Sequence, residues 1–380
     1  MQWKKYITQL GPRLLIAALL LAGVNSAQAV VNCKLTDSYP PVSTTVPLAG
    51  TFYIGNDLPV GSVIYRTQVR TTAYSGIYCD AAFSVDAEFR VTDEPRGQPS
   101  TIGGRQNVYP TNIPGIGVQI DSDGTFVSKT APRSLPDYYA LATFGSIGKT
   151  ASRFALVLIK TGNINSGGTV NGNSLPSVAL NAVPTSGYSG LPINNIWTVN
   201  FSGSMTVNTS TCTTPGNPTF DLGTFRPEDF PSVGATTAWK DVSIQLTNCP
   251  VFTGYYGDGA SKQQSDDGAT PSGGTLANNL LEMTIAPSTA AAGDQQTFML
   301  SDVTDKASGV GYQIAHNPKE GMAPDEGGNN LYTSGDVLSQ SMSLDRTGNV
   351  SIPLRVRYKR TGVLRPGKMN GSFTVTINYK

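Results

Sequence analysis

Phe373, Val375, Ile377 and Tyr379 are apolar or aromatic at every second position, with Thr374, Thr376 and Asn378 between them, and the sequence closes on Lys380. That spacing is the period of a half-buried β-strand. It restricts the fold, because a strand with one apolar face must lie on a sheet whose other members complete the core. Its edge must be paired or covered, or it remains a row of N–H and C=O groups that can pair with another polypeptide. The expectation is that the edge formed by Phe373, Val375, Ile377, Tyr379 and Lys380, with the groove beside it, is filled by other chains.

The rest of the chain repeats the same kind of signal. Ser62 to Thr67 follows the turn Asp57-Leu58-Pro59-Val60-Gly61, and Phe83 to Phe89 alternates after Cys79. Ile116 to Ile120 and Thr125 to Val127 flank Asp121-Ser122-Asp123-Gly124, a hairpin signal with glycine at the turn. The same tetrad superficially matches a calcium loop, but it lacks the third ligand position before the glycine and the later Glu, so turn chemistry is expected. Phe154 to Ile159 is a continuous apolar run of strand length, expected to be buried on both faces and central to the first core. Lys160 to Gly168 and the Ser/Gly/Pro/Asn-rich residues on to Asn195 read as a long loop region. Trp197 to Phe201 and Met205 to Val207 resume strands. Beyond them, strands are expected at Thr219 to Gly223, Val242 to Leu246, Gly309 to Ile314, Val350 to Ile352 and Leu354 to Tyr358, with Tyr256 to Gly274 a mobile surface loop. With 41 Gly and 25 Pro separating short strands, the fold class is all-β, two immunoglobulin-like or jelly-roll sandwiches.

Lys4, Lys5 and Arg13, the apolar run Leu14 to Val24 and Ala27-Gln28-Ala29 make residues 1–29 a signal peptide, with the mature chain starting at Val30. No later stretch approaches about 20 apolar residues. Export makes the four cysteines a disulfide framework, and their two sequence-local pairs predict the bridges Cys33 to Cys79 and Cys212 to Cys249. Each closes a loop of roughly 40 residues, on the order of 4 kcal/mol in the loop-entropy view. A metal site is not expected, because there is no C-x-x-C and His316 is the single histidine.

A net charge of +1 with 14% charged residues gives no reason to expect nucleic acid as a partner. Arg355 and Arg357 alternate with Leu354, Val356 and Tyr358, so with Lys359 and Arg360 they read as the solvated face of a strand. The usual equipment of an enzyme is thin: no G-x-S-x-G elbow, no Walker loop and no clustered metal ligands, so neither catalysis nor a cofactor is expected. A glycosidase carboxylate pair leaves no such signature, and turnover of a glycan is the observation that separates that reading.

These residues carry a resemblance. Cys212 followed by Phe220-Asp221-Leu222-Gly223, Leu246-Thr247-Asn248-Cys249, Gly309 to Ile314, Arg357 to Gly362 and a terminal strand with Tyr379 next to last resemble a pilin domain of the bacterial chaperone–usher pathway. Cys33-Lys34 near the mature start, Phe154 to Ser166 and Trp197 ahead of Cys212 are similar to the lectin domain of two-domain fimbrial tip adhesins. The resemblance implies a receptor-binding domain over 30–207 and a pilin domain over 208–380, the latter an incomplete sandwich finished by a donor strand. It implies a periplasmic chaperone, an outer-membrane usher and a strand-donating fimbrial subunit as partners, and a host glycan or glycoprotein as receptor. Passage through the periplasm to the fimbrium tip follows. Because a whole domain stands where a shaft pilin has its donor extension, such a subunit can receive a strand but not give one. The resemblance places Val30, Asp86, Lys160, Asn163 and Asn165 in the receptor site, the two asparagines reading otherwise as turn residues; Tyr138 of Asp137-Tyr138-Tyr139 offers an aromatic wall for a sugar, or else starts a strand and packs in the core. Lys160, Gly162 and Gly167 stand where mannose-binding relatives carry glutamine, asparagine and aspartate, which argues against mannose. A structural tip adaptor without a sugar receptor is the alternative.

Overall fold

The structure, a computed structural model, describes residues 30–71, 74–141, 144–148, 153–185, 192–256, 262–264, 272–316, 331–342 and 348–380. The expected signal peptide lies outside them. Among the described residues there is no α-helix, only two 3-10 turns among the strands.

The first half is a sandwich of two sheets. In one, Val63–Arg70, Arg153–Lys160, Ile116–Ser122, Arg105–Pro110 and Ser100–Ile102 lie side by side. The central Arg153–Lys160 strand is buried from Phe154 onward. Phe154, Leu156 and Leu158 point into the main core, while Ala155, Val157 and Ile159 form a second apolar cluster on the opposite face. The unbroken apolar run is therefore a strand covered on both sides. The other sheet orders Arg133–Leu141, Phe83–Val91, Val178–Pro184, Ile193–Asn208 and Gly168–Asn171, with Val42–Leu48 and Thr51–Tyr53 parallel to Ile193–Asn208. Phe89, Phe154 and Trp197 meet between the two sheets, and Trp197 Nε1 donates to Thr44 Oγ1 at 2.8 Å. A small third sheet, Cys33–Leu35, Tyr74–Cys79 and Phe144–Gly148, contains the Cys33–Cys79 disulfide.

The second half divides into Lys240–Asp241, Leu354–Arg365, Ser308–His316 and Thr297–Met299; the pair Ile244–Cys249 and Gly348–Ile352; and Val337–Ser341, Leu280–Pro287 and the terminal Phe373–Tyr379. Cys212 and Cys249 are bonded.

Several local expectations are corrected. The 168–184 part of the expected loop contains the strands Gly168–Asn171 and Val178–Pro184, the latter carrying Val178, Leu180 and Ala182 into the core. Trp197 and Met205 sit on one strand, continuous through Gly203. Thr219 to Gly223 forms no strand, although Leu222 packs on the second core. Tyr256 is not on a mobile loop. It is buried in the first core against Phe52 and Tyr65, at centroid distances of 5.7 and 5.6 Å. Lys262–Gln264 then adds in parallel to Val63–Arg70, the edge of the first half's sheet.

The exchange runs in both directions. Tyr53, from the first half, belongs to the second core and meets Phe252 at 4.8 Å. Its amide donates to Gly254 O at 3.3 Å and its carbonyl accepts from Asn279 Nδ2 at 3.1 Å. Each half thus lends one tyrosine to the other's interior.

Candidate functional site

The terminal strand Phe373–Tyr379 pairs on one side only among the described residues, antiparallel to Leu280–Pro287. Lys380 exchanges both backbone hydrogen bonds with Leu280, at 2.7 and 2.9 Å. In an antiparallel ladder alternate residues direct their backbone groups to alternate sides, so Thr374, Thr376 and Asn378 also turn their N–H and C=O groups to Leu280–Pro287. Phe373, Val375, Ile377 and Tyr379 therefore turn their N–H and C=O groups to the other side. The side chains of Phe373, Val375 and Ile377 pack on the second core yet remain half-buried, as do Leu222 and Phe225. Among the described residues, both the backbone edge and the apolar row beside it are thus without a covering strand.

Tyr379 is the exception. Its amide donates to Asp57 Oδ2 at 2.8 Å, and its carbonyl accepts from the Asp57 amide at 3.2 Å. Asp57 sits in a turn closed by Leu58 N donating to Gly55 O at 3.2 Å. The turn presses close enough that a Cβ on Gly55 would lie 1.8 Å from Tyr379 O, so only glycine fits there. Tyr379 Oη accepts from the Cys212 amide at 3.2 Å, and burial raises its ionisation above the usual phenol range. Lys380 is paired with Glu282.

Lys160 explains how that turn is held. Expected at a receptor site, the side chain is instead 1% exposed and donates to Gly55 O at 3.3 Å and to Asn56 O. Burial lowers its ionisation, and the nearby Asp57 charge opposes that shift. Asn56 Oδ1 accepts from Ile164 N at 3.0 Å, which fixes the loop after the central strand to the same turn. Asn163 and Asn165 are exposed on that loop, but it lies at the junction with the second half, because Asn56 adjoins the residue that holds Tyr379. Lys160 is thus enclosed by the turn it holds, whereas Asn163 and Asn165 keep their side chains exposed beside it.

The remaining receptor candidates are elsewhere. Asp86 is half-buried, accepting from Thr185 Oγ1 at 2.7 Å and from Ser134 Oγ at 3.4 Å. Tyr138 is on the strand Arg133–Leu141, and its side chain lies outside the described residues. Val30 is exposed and leads into Asn32, which donates from its amide and from Nδ2 to the Asp80 carboxylate at 3.0 and 2.9 Å. Those bonds lower the Asp80 ionisation. The Asp121 to Gly124 tetrad is a hairpin turn with positive φ at Asp123 (46°) and Gly124 (87°). Asp121 pairs with Arg66 at 2.6 Å, and Asp123 with Arg133 and Arg153. Its carboxylates serve the turn and neighbouring arginines.

A feature without a sequence signal lies on the small disulfide-bearing sheet. Lys34, Tyr78 and Phe144 are register partners across its three strands, so their side chains share one face. Tyr78 is 47% exposed, Phe144 52% and Tyr39 45%, and Tyr39 meets Phe144 at 6.4 Å. Gly76, next to Tyr78 on that face, leaves room for the Tyr39 ring.

Residues 48–176 match the family described as MrkD-like receptor binding domain, and residues 199–380 match the family of fimbrial proteins. A fimbria adhesin protein of Klebsiella pneumoniae is 25% identical over 374 residues, spanning 96% of this chain and 98% of its own length. This chain belongs to the fimbrial adhesins. The adhesin is also similar to protein FimG of Escherichia coli (strain K12), 32% identical over 111 residues, which cover 29% of the adhesin and 66% of that relative. Among solved structures it is similar to the CupB6 tip adhesin from Pseudomonas aeruginosa, at 14% identity, 91% coverage of this chain, 93% of that one and a TM-score of 0.34. The adhesin is a binding and assembly protein, not an enzyme.

Proposed function

We propose that the adhesin occupies a fimbrial tip, where residues 30–207 engage a host-surface glycan and residues 208–380 anchor the subunit by accepting a strand from a neighbour. A periplasmic chaperone and the outer-membrane usher handle it before that. The carrying observation is the terminal strand, whose outward N–H and C=O groups at Phe373, Val375 and Ile377 have no strand partner among the described residues, beside a half-buried apolar row. An extended peptide with apolar residues at alternate positions fits such an edge. The tip position is supported by Ile193–Asn208, the segment just before Cys212. It is committed to the first half's sheets and is not free to be donated. The full chain without a partner is expected to be markedly less stable than with such a peptide, which is checked by thermal melts across peptide concentrations. A melting temperature indifferent to every peptide would overturn strand acceptance.

For the receptor, the exposed aromatic row of Tyr39, Tyr78 and Phe144 beside Lys34 supports a sugar ring, with aromatic faces against its C–H groups and the ammonium near its hydroxyls. Glycan-array binding by the full chain should be selective and competable. It should fall roughly tenfold or more when Tyr78 and Phe144 are replaced by serine in a chain with an unchanged melting profile. Binding untouched by those changes would remove this face from the receptor site. Silence of the folded wild type would favour a protein receptor or a structural adaptor.

A further inference from the structure

The turn Gly55–Leu58 belongs to the first half, yet it takes up the last outward-facing backbone pair of the terminal strand. The amide of Tyr379 is held by the Asp57 carboxylate and its carbonyl by the Asp57 amide. These are the two bonds that the next residue of an added strand would otherwise make. The turn is not a loose flap. Lys160 ties the Gly55 and Asn56 carbonyls, Asn56 Oδ1 ties Ile164, and Ile54 N donates to Asn208 O at 2.9 Å. The free part of the edge therefore has a fixed end, with Phe373, Val375 and Ile377 open and Tyr379 closed.

We infer that the receptor-binding half sets the register of the strand that completes the pilin half, with Asp57 and Gly55 as a stop at Tyr379. The inference rests on the strand-acceptance reading above. The partner it defines is an extended segment of another chain whose apolar residues pair opposite Phe373, Val375 and Ile377 and whose ladder ends there. A segment that continues past Ile377 must either displace the turn or peel away from the edge. Because Lys160 is buried and bonded to the turn, displacement carries the cost of exposing carbonyls that it satisfies. The stop also makes the first half a reporter of occupancy, since a strand that overrides it must move residues 55–57.

The test uses the full chain with both disulfides and synthetic alternating peptides. One peptide spans the positions opposite Phe373 to Ile377, and a second is longer by two residues at the Tyr379 end. Backbone amide exchange and binding are read together. In the wild type, both peptides are expected to protect the Val375 and Ile377 amides and to bind within about twofold of each other, with Tyr379 protected before any peptide is added. In Asp57→Ala, Tyr379 should exchange faster in the free chain. The longer peptide should restore its protection and bind roughly tenfold better than the shorter, the worth of one or two further backbone bonds. Gly55→Ala, which places a Cβ against Tyr379 O, should act in the same direction and guards against an effect peculiar to the lost carboxylate. If the longer peptide already gains that factor in the wild type while Val375 and Ile377 are protected, the stop is overturned and strand acceptance survives. If no peptide protects these amides in any variant, strand acceptance fails and the stop falls with it. The wild-type comparison of the two peptides decides the matter even if a variant does not fold.

Discussion

Replacing Tyr256 by alanine is expected to loosen the first core, although the residue is encoded in the second half. Its ring fills the space between Phe52 and Tyr65, and its amide donates to Ile64 O at 2.8 Å. Removing a buried aromatic ring costs about 3–4 kcal/mol when the site does not collapse, and two flanking rings on rigid strands collapse poorly. Tyr53→Ala is the mirror image: encoded in the first half, it should destabilise the second core by a similar amount by vacating the place beside Phe252. Amide exchange resolved by region separates the two. Tyr256→Ala should speed exchange around Phe89, Leu156 and Trp197, and Tyr53→Ala around Leu281 and Ile314. If each change disturbed only the half that encodes it, the cross-bracing would be refuted. The same contacts predict that a fragment of residues 30–207 is less stable than the same residues in the whole chain. It lacks the Tyr256 ring and leaves the Val63–Arg70 edge without the Lys262–Gln264 strand. Receptor measurements therefore belong on the full chain.

What the sequence made legible were features decided by neighbours along the chain. Six successive apolar residues, Phe154 to Ile159, can be satisfied only by cover on both faces, and the structure supplies two clusters. Asp123-Gly124 tolerates the left-handed backbone that a tight hairpin needs, and the hairpin is there. The two bridges followed from pairing the nearest cysteines. Val178–Pro184 was hidden because its apolar residues are embedded in Gly, Ser and Pro, whose turn signal dominates a short window. Leu280–Pro287 carries the same alternation, at Leu281, Met283 and Ile285, and could have been found by the same count.

The site was harder to read, for a different physical reason. A lysine ending an apolar strand looks like the point where the chain surfaces, yet the Lys160 ammonium finds carbonyls 105 and 104 residues away, at Gly55 and Asn56. No local period encodes that. The aromatic row of Tyr78 and Phe144 depends likewise on register between distant strands, so it emerges only from the pairing. By contrast, the terminal strand and the shared direction of its alternate groups were visible from the alternation, because a single strand's period fixes which of its groups face outward together.

Alkali should unfold this adhesin over a narrow range, because buried tyrosines resist ionisation in the folded state. Burial raises Tyr53, Tyr109, Tyr312, Tyr358 and Tyr379, and pushes Tyr65 up to about 12. The Tyr53 hydroxyl, buried at the junction, has no hydrogen-bond partner among the described residues, and the Asp57 charge opposes a phenolate there as well. An unfolded tyrosine ionises near 10. Between that value and the raised one, the folded chain holds more protons than the unfolded chain, so stability falls as pH rises. The contribution is whole below about pH 10 and is lost as pH climbs through the raised values. Tyr65 alone accounts for about 2–3 kcal/mol across that window. Lys160 works the other way: its lowered ionisation makes the unfolded state the better proton binder, so stability gains slightly as pH approaches 10.5. One lysine against six tyrosines leaves the balance with the tyrosines. Urea unfolding from pH 8 to 11.5 should give a nearly constant midpoint up to about pH 9.5 and a steep decline beyond. Tyrosinate absorbance should rise in two stages, exposed rings first and the buried set together with loss of structure. Ionisation of every tyrosine in one step near pH 10, with the β-sheet signal intact, would show that these rings are not sealed in the two cores.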